Sequence, residues 1–181
     1  MKVLMISGKS MSGKDTFANM MRDNLTARGN EVLVIHFADA VKWLARDFLG
    51  WDGNKNDKGR SLLQNFATDT MREAYPTYWA DIVAKFISGV HKWDYVLIPD
   101  WRFENEFETM YKYNDDIITM RIIRYNEEDK MYYNPNMRLS QLTHISETEL
   151  DNFNFEYIIE NHSFELLKDS ADELSEMFEN L

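Results

Sequence analysis

Gly8-Lys9-Ser10-Met11-Ser12-Gly13-Lys14 is the stretch on which the reading of this chain turns. A short apolar run, Lys2–Ser7, precedes it, and after it Phe17, Met20, Met21 and Leu25 recur at helical spacing until Gly29 ends the pattern. G-x-x-x-x-G-K between a buried strand and an amphipathic helix is the pattern of a phosphate-binding loop. Glycines let the backbone wrap closely round phosphate oxygens, successive N–H groups and the helix N-terminus present positive potential, and the Lys14 ammonium reaches the β- and γ-phosphates. Gly8, Lys9, Ser10, Met11, Ser12, Gly13, Lys14, Asp15 and Thr16 are the expected nucleotide contacts, with ATP and Mg²⁺ as the implied cofactors. The plainer alternative, a glycine turn with an exposed lysine, is disfavoured by the strand before and the helix after. Asp15 stands where Ser or Thr usually meets Mg²⁺, and Thr16 follows it. The metal could therefore be ordered by the Asp15 carboxylate or by the Thr16 hydroxyl, or Asp15 could serve only the helix N-terminus.

Around this loop, strand and helix alternate. Residues 31–37 read as a second strand, and Val41, Leu44, Ala45 and Phe48 form a helical stripe that ends at Gly50. Residues 51–59 are polar and glycine-containing and read as an exposed loop, and two helical stretches follow at about 60–74 and 78–90 with no strand signal. Residues 95–98 read as a third strand stopped by Pro99 and Asp100, a helix starts near Phe103, and 117–123 and 155–159 read as the fourth and fifth strands. The last helix aligns Phe164, Leu167, Ala171, Leu174 and Phe178 on one face. This alternation predicts an α/β three-layer fold: a single domain over 1–181 with a central parallel sheet of about five strands, the first strand central, and helices on both faces. A helical insertion spans about 39–92. The segment 125–150, rich in Asn, Tyr and charge, is the candidate for a mobile flap.

Composition narrows the function classes. The chain has 181 residues, 44% of them hydrophobic, which suits one globular domain with a substantial core. Its formal net charge of −11 repels polyanions, so no nucleic-acid polymer is expected as partner. A small phosphorylated ligand needs only a local cluster of cations and N–H groups. No apolar run is long enough to span a bilayer, and residues 3–6 are too few for a signal-peptide core, so a soluble, unprocessed chain without a membrane partner is expected. The absence of cysteine excludes disulfides and thiolate zinc sites and is compatible with a cytoplasmic location. A homodimer is compatible with the sequence, which does not decide the oligomeric state.

Asp100-Trp101-Arg102-Phe103 lies just past the third predicted strand, and in open α/β sheets ligands bind at the carboxyl ends of strands. Asp100 could order Mg²⁺ or its waters, and Arg102 offers a two-pronged grip on an acceptor phosphate. A helix cap and a surface ion pair are the competing roles.

Six segments in order, GKSMSGKDT (8–16), FADAVK (37–42), LLQNFATDTMR (62–72), YWADIV (78–83), IPDWRFENE (98–106) and HISETELD (144–151), resemble the phage-type deoxynucleoside monophosphate kinases across nearly the whole chain. The resemblance implies a nucleoside monophosphate kinase fold, ATP as donor, a deoxynucleoside monophosphate as acceptor, and a viral or bacterial origin. It also makes Gly-Lys-Asp-Thr a family feature. Carried over by position, Lys14 and the loop glycines would hold the donor phosphates, with Asp100 and Arg102 near the acceptor. Asp39 and Lys42 could line the acceptor pocket, although a lysine after a strand is often only a solvated helix end. Gln64 and Arg72 fall on the inserted helices, where such a fold meets the acceptor. Trp79 and Phe66 could stack on a base or simply fill the core. Phosphoryl transfer needs positive charge over the migrating group, and Arg124 is chosen for it ahead of Arg121 and Arg138, against the alternative of an ion pair with Glu127 or Glu128. His144 and Glu147 belong to the H-x-S-E segment without metal-ligand spacing; a flap hinge or cap explains them equally well, and His144 is assigned no catalytic role.

Overall fold

The computed structural model describes residues 1–54 and 56–180. In chain order it contains β1 (Lys2–Ser7), α1 (Lys14–Ala27), β2 (Val32–Val34), α2 (Ala38–Phe48), α3 (Asp57–Gln64), a π-helix (Asn65–Arg72) and α4 (Tyr78–Val90). Then follow β3 (Tyr95–Trp101), α5 (Glu104–Tyr111), β4 (Ile117–Arg124), α6 (Leu139–Leu142), α7 (Ile145–Thr148), a 3₁₀ turn (Glu149–Asn152), β5 (Tyr157–Asn161) and α8 (Phe164–Glu179).

The five strands form one parallel sheet in the order β2-β3-β1-β4-β5, with β1 at its centre as predicted. Side chains of β1 alternate between two cores. Leu4 and Ile6 pack with Phe17, Met21 and Leu25 of α1 and Leu167 and Phe178 of α8, whereas Val3 and Met5 pack with Val83, Ala84 and Ile87 of α4 and Met110 of α5. Burial on both faces explains why β1 reads as a continuous apolar run. Helix, sheet and helix are the three layers.

Three details differ from expectation. β3 does not stop at Pro99 but runs through Asp100 to Trp101. Pro99 has no N–H to give a neighbouring strand, and the pairing slips at that point: Met5 lies opposite Ile98, then Ser7 opposite Trp101. β2 is only three residues long, because the chain bends away into α2, where the N–H groups of Phe37 and Ala38 bond to the Asp100 carboxylate. The apolar stripes of α2 and α8 are also incomplete. Phe48 is 70% exposed in an edge contact with Trp43, and Phe164 is exposed at the first turn of α8. Among the described residues, α2 packs chiefly on α3, the π-helix and α4, which bury its Val41 and Ala45.

Segment 125–150 lies over the phosphate loop rather than away from it. It carries an isolated bridge between Tyr125 and Met131, then α6 and α7. Asn134, buried, donates to Ser10 Oγ at 3.0 Å, and Arg138 reaches Asp57 at 2.7 Å. No helix among the described residues is long and apolar enough to cross a membrane.

Candidate functional site

The loop between β1 and α1 has the shape that close approach to an anion requires. A Cβ on Gly8 would collide with the Ser12 hydroxyl and lie 2.7 Å from the Ile122 carbonyl; one on Gly13, at φ 99°, would lie 2.6 Å from Asn161 Nδ2. Both positions therefore need glycine. Gly13 also opens α1 without a side-chain cap, so the first-turn N–H groups face the loop mouth. Asn161, at the carboxyl end of β5, donates to the Ser12 carbonyl at 2.8 Å and pins the loop from behind. The Ser12 hydroxyl, in a residue only 3% exposed, is the buried side-chain polar atom that lacks a hydrogen-bond partner among the described residues. Lys14 is 7% exposed; burial, then the nearby Arg102 charge, lower its pKa, while Asp15, Glu147 and Asp100 pull the other way. A tight cradle of N–H groups, an unmet hydroxyl and a desolvated cation fit a polyphosphate.

Asp15 and Thr16 face different sides. Thr16 lines a wide cleft of about 640 Å³ together with Gly13, Arg124, Tyr132, Asn161 and His162. Asp15 instead meets Lys14 at 3.6 Å and His36 Nε2 at 2.9 Å. His36 in turn lies 3.4 Å from Asp39, which also binds Lys42 at 2.9 Å. Burial works against the His36 charge, but the bonds to Asp15 and Asp39 outweigh it and raise the pKa to about 9, so the ring is an imidazolium at neutral pH. The same contacts hold Asp39 well below the usual carboxylate range despite its partial burial.

On the other side of Asp100 lies a narrow pocket of about 170 Å³. Its wall includes Gln64, Arg72, Trp79, Asp100, Arg102, Phe103 and Glu106, with Phe37, Ala38 and Val41 from α2. Sequence reading placed Gln64, Arg72, Asp100 and Arg102 together, and they meet here. Asp39 and Lys42 are not in that wall: Asp39 binds both Lys42 and His36, while the neighbours Phe37, Ala38 and Val41 supply the wall. Asp100 accepts the N–H groups of Phe37 and Ala38, each at 2.9 Å, one on each oxygen; a lone pair stays on each. It thus fills the capping role, for α2. Phe66 meets Trp79 edge-on at 5.9 Å, and the Trp79 indole N–H donates to Ala67 at 3.2 Å.

Glu106, not singled out in the sequence, organises this pocket. It is 1% exposed; one carboxylate oxygen takes the Arg72 guanidinium, and the other takes the N–H groups of Arg102 at 2.8 Å and Phe103 at 3.1 Å. Burial, only partly offset by Arg72 and the two N–H groups, pushes its carboxyl up to about 7. Arg72 lies over the Phe103 ring at 3.8 Å. Glu106→Ala should therefore leave a buried guanidinium without its counter-charge and lower stability by about 3–5 kcal/mol. Urea unfolding measures it; a loss below about 1 kcal/mol would mean that Arg72 finds solvent instead.

Arg124 donates to the Met11 carbonyl at 3.2 Å and stacks on Tyr132 at 4.5 Å; Glu128 pairs with Lys130 instead. Arg121 pairs with Asp151 at 2.7 Å, and Asp151 also binds Lys9 at 2.6 Å. His144 caps α7 by accepting the Ser146 N–H at 3.2 Å. Glu147 accepts the Ser10 N–H at 3.0 Å and meets Arg102 at 3.0 Å. His36, Glu106 and Asn161 join this geometry without having been singled out in the sequence, and Glu147, named only as part of the H-x-S-E segment, reaches the loop. Asn161 was within reach, since the strand-end rule that flagged Asp100 applies equally to β5.

No protein-family model matches the chain, and no curated protein matches it. Solved structures do. An APS kinase of Mycobacterium tuberculosis in complex with AMPPNP and APS superposes with a TM-score of 0.54 at 12% identity, over 98% of this chain and 97% of that one. A shikimate kinase of Bacteroides thetaiotaomicron gives 0.52 at 14% identity over 98% of each chain, and a sugar kinase of a Janibacter species 0.54 at 11% over 99% and 95%. At these identities the likeness is one of fold: the chain has the fold of P-loop kinases.

Proposed function

We propose that this protein is an ATP-dependent kinase that transfers the γ-phosphoryl group to a small acceptor, and that the acceptor is a deoxynucleoside monophosphate. The observation that carries the proposal is the convergence of Arg72 and Arg102, both held through Glu106, on one narrow aromatic-walled pocket beside the phosphate loop. Guanidinium groups suit a phosphate, and a wall to which Trp79 and Phe103 contribute suits a flat apolar ring. The wider cleft along Thr16, Arg124, Tyr132 and His162 would take the donor nucleotide.

The residues act by placement and charge. Lys14 and the loop N–H groups would hold the donor's β- and γ-phosphates, Arg102 would fix the acceptor phosphate in line, and Arg124 would lie over the transferring group. An acceptor phosphate is already anionic at neutral pH, so no strong base is needed. Asp15 or Thr16, with Asp100 close by, would hold a Mg²⁺ ion, which would supply further charge neutralisation.

The test is phosphorylation by labelled ATP of each deoxynucleoside monophosphate and its ribose counterpart, beside APS and shikimate. Transfer to a monophosphate supports the proposal; transfer only to a non-nucleotide acceptor replaces its second half, and phosphate release without any acceptor overturns both halves.

Asp15 lies on the Asp100 side and Thr16 faces the wide cleft, so Asp15→Ala should raise the Mg²⁺ needed for half-maximal activity by roughly tenfold, with Thr16→Ala changing it less. Mg²⁺ titrations of both variants check this, and two wild-type-like curves would remove both side chains from the metal.

A further inference from the structure

Glu147 sits where an anion from outside would be expected. Its carboxylate takes a phosphate-loop N–H, that of Ser10, on one oxygen and the Arg102 guanidinium on the other, each at 3.0 Å. Its side chain is 9% exposed, and Lys14 feels its charge together with that of Arg102. One backbone N–H, one arginine and a nearby buried lysine form the donor set that binds a phosphoryl oxygen. The carboxylate is presented by the short α7, whose neighbours are tied to the same loop: Lys9 donates to the Glu147 carbonyl, and Lys9 and Arg121 both bind Asp151. Ser146, one residue before Glu147, lines the acceptor pocket.

We infer that the Glu147 carboxylate is an internal stand-in for a phosphoryl group, filling the Ser10 N–H and Arg102 subsite until a substrate phosphate displaces it. This rests on the kinase reading in naming the substrate, but the subsite itself is defined by its oxyanion chemistry. Two sources carry that chemistry, the acceptor phosphate and the donor γ-phosphoryl group. With Glu147 docked, Arg102 is neutralised and the cations around the loop are compensated. Substrate affinity is reduced by the fraction of molecules in which the carboxylate is docked. Binding then releases α7 from Arg102 while the Lys9 and Asp151 ties keep the segment near the loop.

The test is calorimetric titration of wild type and Glu147→Gln with three probes: inorganic pyrophosphate, a non-hydrolysable ATP analogue, and a deoxynucleoside monophosphate. Melting curves confirm folding, and Glu147→Ala, which also removes the charge, substitutes if the glutamine variant does not fold. Removing the stand-in's charge should tighten binding of pyrophosphate about tenfold. Tightening for the monophosphate alone among the two nucleotides assigns the subsite to the acceptor, and tightening for the ATP analogue assigns it to the donor. Pyrophosphate bound no tighter, or more weakly, by a folded variant overturns the inference and makes Glu147 a structural tie. Should the nucleotide-acceptor reading alone be wrong, the monophosphate is silent in both proteins while pyrophosphate still separates them.

Discussion

Lys14→Ala is expected to fold and melt like the wild type while phosphoryl transfer falls on the order of a thousandfold or more. The structure gives the reason for both halves. The Lys14 ammonium is buried, its pKa is lowered by desolvation and by Arg102, and its nearest ion-pair partner, Asp15, is exposed and 3.6 Å away. Such a charge contributes little to stability, because burial offsets the attraction. In the reacting complex it would face the β- and γ-phosphates, where no other buried cation of the loop replaces it. Melting temperature and turnover are measured side by side. A folded Lys14→Ala protein with near-normal turnover would sink the kinase reading of the loop.

The second large effect concerns the acceptor. Arg102→Ala should weaken deoxynucleoside monophosphate binding by roughly a hundredfold, equivalent to about 2.7 kcal/mol, and leave the ATP analogue nearly unchanged. Arg102 projects from the carboxyl end of β3 into the pocket wall, with its own N–H fixed by Glu106, so its position is set by buried structure and only its guanidinium is lost on truncation. Release of Glu147 from its partner works in the opposite direction but is the smaller term, since it removes a competitor and not a binding group. Arg102→Lys should recover only part of the loss, because an ammonium lacks the planar fork. Paired calorimetric titrations decide the matter. A loss confined to the ATP analogue would move Arg102 to the donor side, and unchanged affinity for both would leave it as the partner of Glu147 alone.

Local rules carried the sequence reading a long way. Strand, glycine loop and helix are contiguous, so the cradle at Gly8 and Gly13 was legible, as were the central place of β1 and the layered architecture. Arg102 was identified by residue type and strand-end position, Arg72 by its place on an inserted helix in the family resemblance, and they converge. What escaped depended on partners distant in sequence. Nothing around His36 signals that it will join Asp15 to Asp39, and nothing in the H-x-S-E segment shows that Glu147 will reach Ser10, 137 positions away. Pro99 misled for a related reason: a proline ends an isolated strand pattern, yet here neighbouring strands absorb it through a register slip. Phe164 fitted a helical stripe but faces the wide cleft, since periodicity cannot distinguish a core from the wall of a site.

Nearly every cation of the site already has an acid beside it: Lys9 and Arg121 share Asp151, Lys14 has Asp15, Arg72 has Glu106 and Arg102 has Glu147. Within about a Debye length of the surface, the site is nearly neutral on a body of formal charge −11, so electrostatic steering would oppose the approach of an anionic ligand such as a nucleotide. Encounter rates should then rise with ionic strength as the repulsion is screened, the reverse of what a surface built to attract polyanions would show. Selectivity for phosphate would arise only on contact, when a ligand exchanges places with the resident carboxylates. Stopped-flow association of a fluorescent ATP analogue at low and moderate salt would register the sign of that dependence.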